Sequence, residues 1–149
     1  MANLHQVPPP LLLARAANLW FSGRIHFPKN RFGEIVQEEE PFKVFRQMTV
    51  DPTGDQRQAP GAIFRVSFQY ATFSTDMNKM LSLIPIPFIA AQPGFRSKTW
   101  LLGQETGTTQ GLYEWDTVED AENYWMSFPM QLLKRRSVPE SLHCNVYEI

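Results

Sequence analysis

Phe95-Arg96-Ser97-Lys98-Thr99-Trp100-Leu101-Leu102, a Gly/Thr-rich connection from Gly103 to Gln110, and then Gly111-Leu112-Tyr113-Glu114-Trp115 form the stretch on which the fold turns. Two short runs carrying large rings, joined by turn chemistry, read as a hairpin whose strands pair antiparallel. Pro93-Gly94, just ahead of it, supplies another turn.

Upstream, Phe64, Val66, Phe68 and Tyr70 fall at every second position with Arg65, Ser67 and Gln69 between them, the pattern of a half-buried strand. Ser74, Thr75 and Asp76 offer N-caps to a helix with Met77, Met80, Leu81 and Ile84 on one side. Pro85 and Pro87 make that helix kink or stop near Ile84. Downstream, Asp116 or Thr117 caps a second helix, with Glu119 and Asp120 in the first turn, where the dipole favours acids. Its stripe is Val118, Ala121, Tyr124, Trp125 and Phe128; Pro129 interrupts it, and Leu132-Leu133 resume it. His143 to Ile149 alternates as a closing strand.

The order strand, helix, strand, strand, helix, strand predicts an α+β fold, a ferredoxin-like βαββαβ sheet over residues 61–149 with its helices on one face. The other face is left open. It carries Lys98, Trp100, Tyr113, Trp115, His143 and Tyr147, or the opposite set if parity slips by one. Either set includes large apolar groups, so a second copy is expected to cover them, giving a homodimer that closes two sheets into an α+β barrel with a pocket in each half.

Residues 1–60 differ in character, with Pro8-Pro9-Pro10, the acidic Glu38-Glu39-Glu40 and a Pro/Gly/Asp/Gln-rich stretch from Asp51 to Gly61. Leu11 to Trp20 reads as a short helix and Phe42 to Val50 as a strand, with Pro52 and Gly54 as the turn after it. The rings at Trp20, Phe21, Phe27, Phe32, Phe42 and Phe45 are too many for a disordered tail. The expectation is an ordered N-terminal extension packing on the main domain, over the pocket mouth or the partner subunit.

The chain has 149 residues, 43% hydrophobic and 19% charged, enough to bury a core without staples. Net charge is -1, from 14 basic and 15 acidic side chains. That lacks the electrostatic footprint of a nucleic-acid binder, and Lys134-Arg135-Arg136 reads as a solvated helix end. Cys144 is the single cysteine, which excludes an intrachain disulfide and a Cys-rich zinc site. Leu11-Leu12-Leu13 is too short for a signal or membrane segment. A cytoplasmic protein without membrane or nucleic-acid partners is expected.

Pro93-Gly94-Phe95, Lys98, Trp100, Gly111-Leu112-Tyr113-Glu114-Trp115 and the spaced Ala121 and Tyr124 together resemble the dimeric α+β barrel superfamily of antibiotic-biosynthesis-type monooxygenases. Within it they are similar to the YdhR-like monooxygenase family, over residues 61–149. The resemblance implies a homodimer with pockets between sheet and helices or inside the barrel. It also implies oxygenation without metal, haem or flavin, although the superfamily includes cyclases, decarboxylases, dehydratases and haem-degrading enzymes. The first 60 residues and the breaks at Pro85 and Pro87 depart from the compact family pattern.

Oxygenation of a phenol or enol without a cofactor needs a substrate anion in a dry pocket, with a base or cation to stabilise it and rings to orient it. Lys98 is the candidate cation. His143, with an unperturbed pKa of about 6.5, is the candidate base. Arg65 is placed to reach a carbonyl or enolate oxygen. Trp100, Tyr113, Trp115, Tyr70 and Tyr124 are the candidate walls for a hydrophobic aromatic or polyketide-like substrate. Each has a plainer role: the rings as core or interface, Lys98 snorkelling to water, His143 as a hydrogen-bonded strand residue, Arg65 as a solvated one. Two other outcomes stay open, a cyclase, decarboxylase or dehydratase using acid–base groups alone, and a non-catalytic ligand-binding dimer.

His5, His26 and His143 show no metal-binding spacing, so no metal is expected. Haem needs only one axial histidine, for which His143 or His26 would serve. Gly103 to Gly111 joins two strands and does not open a helix, so it lacks phosphate-cradling geometry. Cys144 and His143 point to opposite faces, which removes a thiol–imidazole pair.

Overall fold

The structure, a computed structural model, describes residues 6–52 and 59–149; His5 and Gly54 lie outside them. In chain order the elements are α1 (Pro9–Phe21), β1 (Ile25–His26), β2 (Ile35–Gln37), β3 (Pro41–Val50), β4 (Ala62–Phe68), α2 (Thr75–Leu81), α3 (Ile86–Ala90), β5 (Phe95–Gly103), β6 (Thr109–Trp115), α4 (Val118–Trp125), α5 (Phe128–Arg136) and β7 (His143–Glu148). Local chemistry accounts for the boundaries. Ser74 Oγ accepts the Met77 amide at 3.2 Å to open α2, and Thr117 Oγ1 accepts that of Asp120 at 3.1 Å to open α4. Pro85 and Pro87 divide the first helical region into α2 and α3, and Pro129 falls in the first turn of α5, where its missing donor costs nothing.

The strands form a single sheet in the order β1-β3-β5-β6-β4-β7, with β2 also pairing to β3, and every pairing is antiparallel. Its β5-β6-β4-β7 part, with the helices between the strands, is the ferredoxin-like βαββαβ arrangement. β3 adds to the free edge of β5, so residues from the N-terminal region continue the same sheet. α1 packs on α3 through Leu12, Ala16 and Ala91. Among the described residues no helix is long and apolar enough to cross a membrane.

Gly94 holds the turn before β5 at φ 80°, and a Cβ there would meet Asp120 Oδ2 at 2.1 Å. Only glycine fits between that turn and the first turn of α4.

The set expected on the open face is split. Lys98, Trp100, Tyr113 and Trp115 face the helices, in the core with Phe64, Val66 and Phe68. His143 and Tyr147 lie opposite Ser67 and Ile63 of β4, on the other face. Alternation fixes parity within a strand, whereas parity between strands follows from the pairing register. Here Trp115 and Glu148 both pair with Ala62, which puts Val146 and Cys144, not His143, on the helix side. The stripe read on α2 also differs. Met77, Met80 and Ile84 are exposed, while Asn78 is buried. The proline break ends α2 at Leu81, so a stripe running on to Ile84 has no helix to carry it.

Candidate functional site

A cavity of about 250 Å³ lies between the helix-covered face of the sheet and the roof made by α2, α3 and α5. Its floor comes from alternate residues of three strands: Val66 and Phe68 of β4, Lys98 and Trp100 of β5, Gly111 and Tyr113 of β6. Two features open it. Gly111, paired with Trp100, contributes no side chain to the floor; a Cβ there would stand 2.9 Å from Tyr113 Cε1 and 3.2 Å from Lys98 Cε. The prolines between α2 and α3 leave two short helices where an unbroken one would cover the floor, and Ile84, Pro85 and Ile89 line the roof there.

Lys98 is the chemical centre of this cavity. Its side chain is 6% exposed, and Nζ lies 4.3 Å from the ring centre of Trp100 and 4.6 Å from that of Tyr113. Among the described residues no carboxylate and no hydrogen-bond acceptor reaches it. Burial, reinforced by the positive charge of Arg46, holds its ammonium well below the usual lysine range. The two π faces favour the protonated form, but the direction is set by loss of water. The result is a buried amine that gives up its proton more readily than an exposed lysine and lines the cavity.

Tyr124 donates its hydroxyl proton to Tyr113 Oη at 3.2 Å. Burial first, then the neighbouring Tyr124, keeps the Tyr113 phenol protonated far above its ordinary range, and burial does the same for Tyr124. Tyr113 therefore keeps a proton for which the described residues supply no acceptor, available to an oxygen entering the cavity. Trp115 stacks behind Tyr113 at 6.3 Å and 16°, and its buried Nε1 has no hydrogen-bond partner among the described residues. It supports the wall and does not line the cavity. Tyr70 closes one side, with the Arg136 guanidinium 4.7 Å above its ring; burial raises its phenol while Arg136 and Arg46 lower it.

The remaining two candidates are elsewhere. His143 is exposed on the opposite face. Arg65, on that face too, is ion-paired with Glu38 and lies 3.4 Å from Gln110 Oε1. Neither side chain reaches a molecule held under the helices, because a β-sheet separates them from it. Five of the eight sequence candidates, Lys98, Trp100, Tyr113, Tyr70 and Tyr124, line the cavity.

Two cations beside the cavity were not among the sequence candidates, and one of them, Arg136, was expected at a solvated helix end. Arg46 Nη1 donates to Ser82 Oγ at 2.8 Å, with its guanidinium carbon 5.0 Å from the Trp100 ring centre. Arg136 lines the cavity and donates to Asn78 Oδ1 at 2.6 Å. A signal for Arg136 existed: it follows Pro129, Leu132 and Leu133 at helical spacing, on the side of α5 that faces the sheet. Arg46 had none, because a register shift between Val44 and Arg46 turns it over.

No group of three or more His, Cys, Asp or Glu side chains that would hold a metal occurs among the described residues. The cavity does not fit haem through the histidines considered above. His143 lies across the sheet, and His26 sits on β1 with Nε2 2.9 Å from Asp51 Oδ2.

No protein-family model matches the chain, and no curated protein matches it. Solved structures do. An anthrone oxidase-like protein is similar over 73% of this chain and 54% of its own, with TM-score 0.52 and 18% identity, so the chain spans about half the length of that protein. A heme-degrading enzyme of Listeria monocytogenes is similar over 84% of this chain and 97% of its own, with TM-score 0.51 and 11% identity. An uncharacterized ferredoxin-fold protein from the same species, related to antibiotic biosynthesis monooxygenases, is similar over 88% and 97%, with TM-score 0.51 and 11% identity. At these identities the likeness is one of fold, and it agrees with the strand order: the chain has a ferredoxin-like fold.

Proposed function

We propose that this chain is a small-molecule enzyme, a cofactor-independent monooxygenase that takes an aromatic or polyketide-like substrate into the cavity under α2, α3 and α5. It acts as a homodimer, with a second copy against the open sheet face. One observation carries the reading: a buried lysine amine, free of any acidic partner among the described residues, faces a ring-walled chamber.

A ring methylene or phenol beside a carbonyl is acidic enough for such an amine to deprotonate. Lys98 takes the proton, and the ammonium so formed stays beside the new enolate, stabilised by the Trp100 and Tyr113 faces. Tyr113 keeps its proton and donates a hydrogen bond to the enolate oxygen. Trp100 and Val66 hold the ring plane, and the apolar floor excludes water. The enolate carbon passes its electrons to dioxygen and forms the C–O bond. Loss of water then leaves a carbonyl: one oxygen atom stays on carbon, and the other departs with the two methylene hydrogens. The proton held by Lys98 returns in that step. Lys98 thus serves as both base and cation. The oxidative names among the structural neighbours support this direction at the level of fold alone.

The test is dioxygen uptake with anthrone. The expected result is one dioxygen consumed per anthrone, with the corresponding quinone formed and no conversion under strict anaerobiosis. Conversion that continues without dioxygen assigns the chamber to acid–base chemistry of the cyclase, decarboxylase or dehydratase kind. Binding without any conversion assigns it to a ligand carrier.

A further inference from the structure

A second, polar cavity of about 170 Å³ adjoins the first, and the two share Tyr70, Ser82 and Thr109. Among the described residues no Asp or Glu lines either one. Cations gather at the junction. Arg136 lies over Tyr70 and is bonded to Asn78, itself 5% exposed; Arg46 is bonded to Ser82, 6% exposed, and through Nη2 to the Lys79 carbonyl at 3.1 Å. Lys98 stands on the floor beyond them. Among the described residues neither guanidinium has a carboxylate partner.

A guanidinium stays charged at any working pH and presents several donors in one plane. Removing it from water is costly unless an anion accompanies it. Here Arg136 and Lys98 line a chamber that supplies none among the described residues, and Arg46 is held beside it on Ser82 and the Trp100 ring. The neutral partners they use, an amide, a hydroxyl and a carbonyl, hold the guanidiniums in position but leave the charge uncompensated. That is the arrangement of a site whose counter-ion arrives with the ligand.

We propose that the ligand is an aromatic acid: its fused ring lies in the apolar chamber against Trp100 and Tyr113, and its carboxylate sits at the junction, on Arg136 and the Tyr70 hydroxyl. This rests on the chamber's being the ligand site, as proposed above, and it specifies the substrate as an anion before any proton is removed. Arg46, bonded to Ser82 at the junction, adds to the field that draws the acid in. The polar second cavity leaves room for water around the carboxylate.

Calorimetric titration with 3-hydroxy-2-naphthoate and with its methyl ester is the test. The acid is expected to bind roughly tenfold or more tightly than the ester, the effect of one charge-assisted hydrogen-bonded pair. Arg136→Gln brings the ratio near unity while ester binding stays as it was. Asn78→Asp does the same with the arginine retained, because a carboxylate within reach of the Arg136 guanidinium neutralises it. Equal binding of acid and ester to the unaltered protein overturns the proposal while leaving the chamber reading intact. So does a ratio that survives both substitutions. Failure of both compounds to bind overturns this proposal and the chamber reading together.

Discussion

The two faces of the central strands are built from alternating residues, yet they differ in kind. Toward the helices, β4, β5 and β6 place Phe64, Val66, Phe68, Trp100, Tyr113 and Trp115, all nearly without exposure, around Lys98. Toward the open side the same strands place Arg65, Ser67, Ser97, Thr99, Gln110 and Glu114, with Asn145 and His143 from β7. Charges on the open side are answered locally, as Arg65 is by Glu38, and Glu114 by the Ser97 hydroxyl that donates to it at 2.7 Å. On the covered side the cations find no acid among the described residues. Cations left without an acidic partner beside an apolar chamber are a cost in stability, and such costs gather at functional sites.

The contrast is broken most severely at Lys98. Lys98→Met is expected to lower turnover of the oxygenation by about 10²-fold or more, the usual scale for loss of a proton-transfer group, whereas His143→Ala stays within about twofold. The same Lys98→Met variant is expected to be more stable, by on the order of 1 kcal/mol at neutral pH, since it exchanges a poorly solvated amine for an apolar chain of similar length. The pH dependence gives the sign. Lys98 holds its proton less tightly when folded than when unfolded. Between the depressed value and the unfolded value of 10.5, only the unfolded chain carries that proton, so native stability rises with pH across the window. Urea titrations at pH 8 and pH 10 should show a rise in the unaltered protein that exceeds the rise in Lys98→Met. Equal rises would remove the lysine from the dry interior.

A gentler change is Gly111→Ala. The added methyl presses on Tyr113 and Lys98, at an expected cost of about 1–3 kcal/mol, and it shortens the chamber floor. Ligand affinity should drop with it, measured by the same naphthoate titration; unchanged affinity would mean that the ring lies elsewhere. Smallest of all is Arg65→Met on the open face. Its side chain is 30% exposed, and its loss should cost only about 0.5–1 kcal/mol in urea unfolding, with turnover preserved. A much larger loss that depends on protein concentration would indicate that a second copy covers this pair.

Much of this contrast can be read in the sequence, strand by strand. Phe64, Val66 and Phe68 against Arg65 and Ser67 give the two sides of β4 unaided, and the proline and capping chemistry locates the helices. What alternation lacks is the relation between strands. Lys98 and His143 look alike as odd polar residues among rings, and only the shared pairing of Trp115 and Glu148 with Ala62 separates them by the thickness of a sheet. β1 and β2, at two and three residues, are too short to have a period. Arg136 was hidden for another reason. In a run of three basic residues, the one that turns inward is chosen by helical phase, while Lys134 folds back on Trp125, with Nζ 3.9 Å from its ring centre, and Arg135 stays outside.

The register shift in β3 has a consequence of its own. Phe42, Val44, Met48 and Val50 look like one uninterrupted alternation, but Phe42 and Val44 pack with Leu101 on the open side, whereas Met48 and Val50 belong to the helix-side core. One extra residue at Phe45 inverts the strand halfway along and, in doing so, delivers Arg46 over Trp100. The electrostatics beside the chamber are therefore keyed to an irregularity of strand pairing and not only to residue type. With Phe45 kept and the bulge straightened, Phe45 would stand opposite Trp100 and Arg46 opposite Thr99, and this cation would move to the far side of the sheet with no change of sequence.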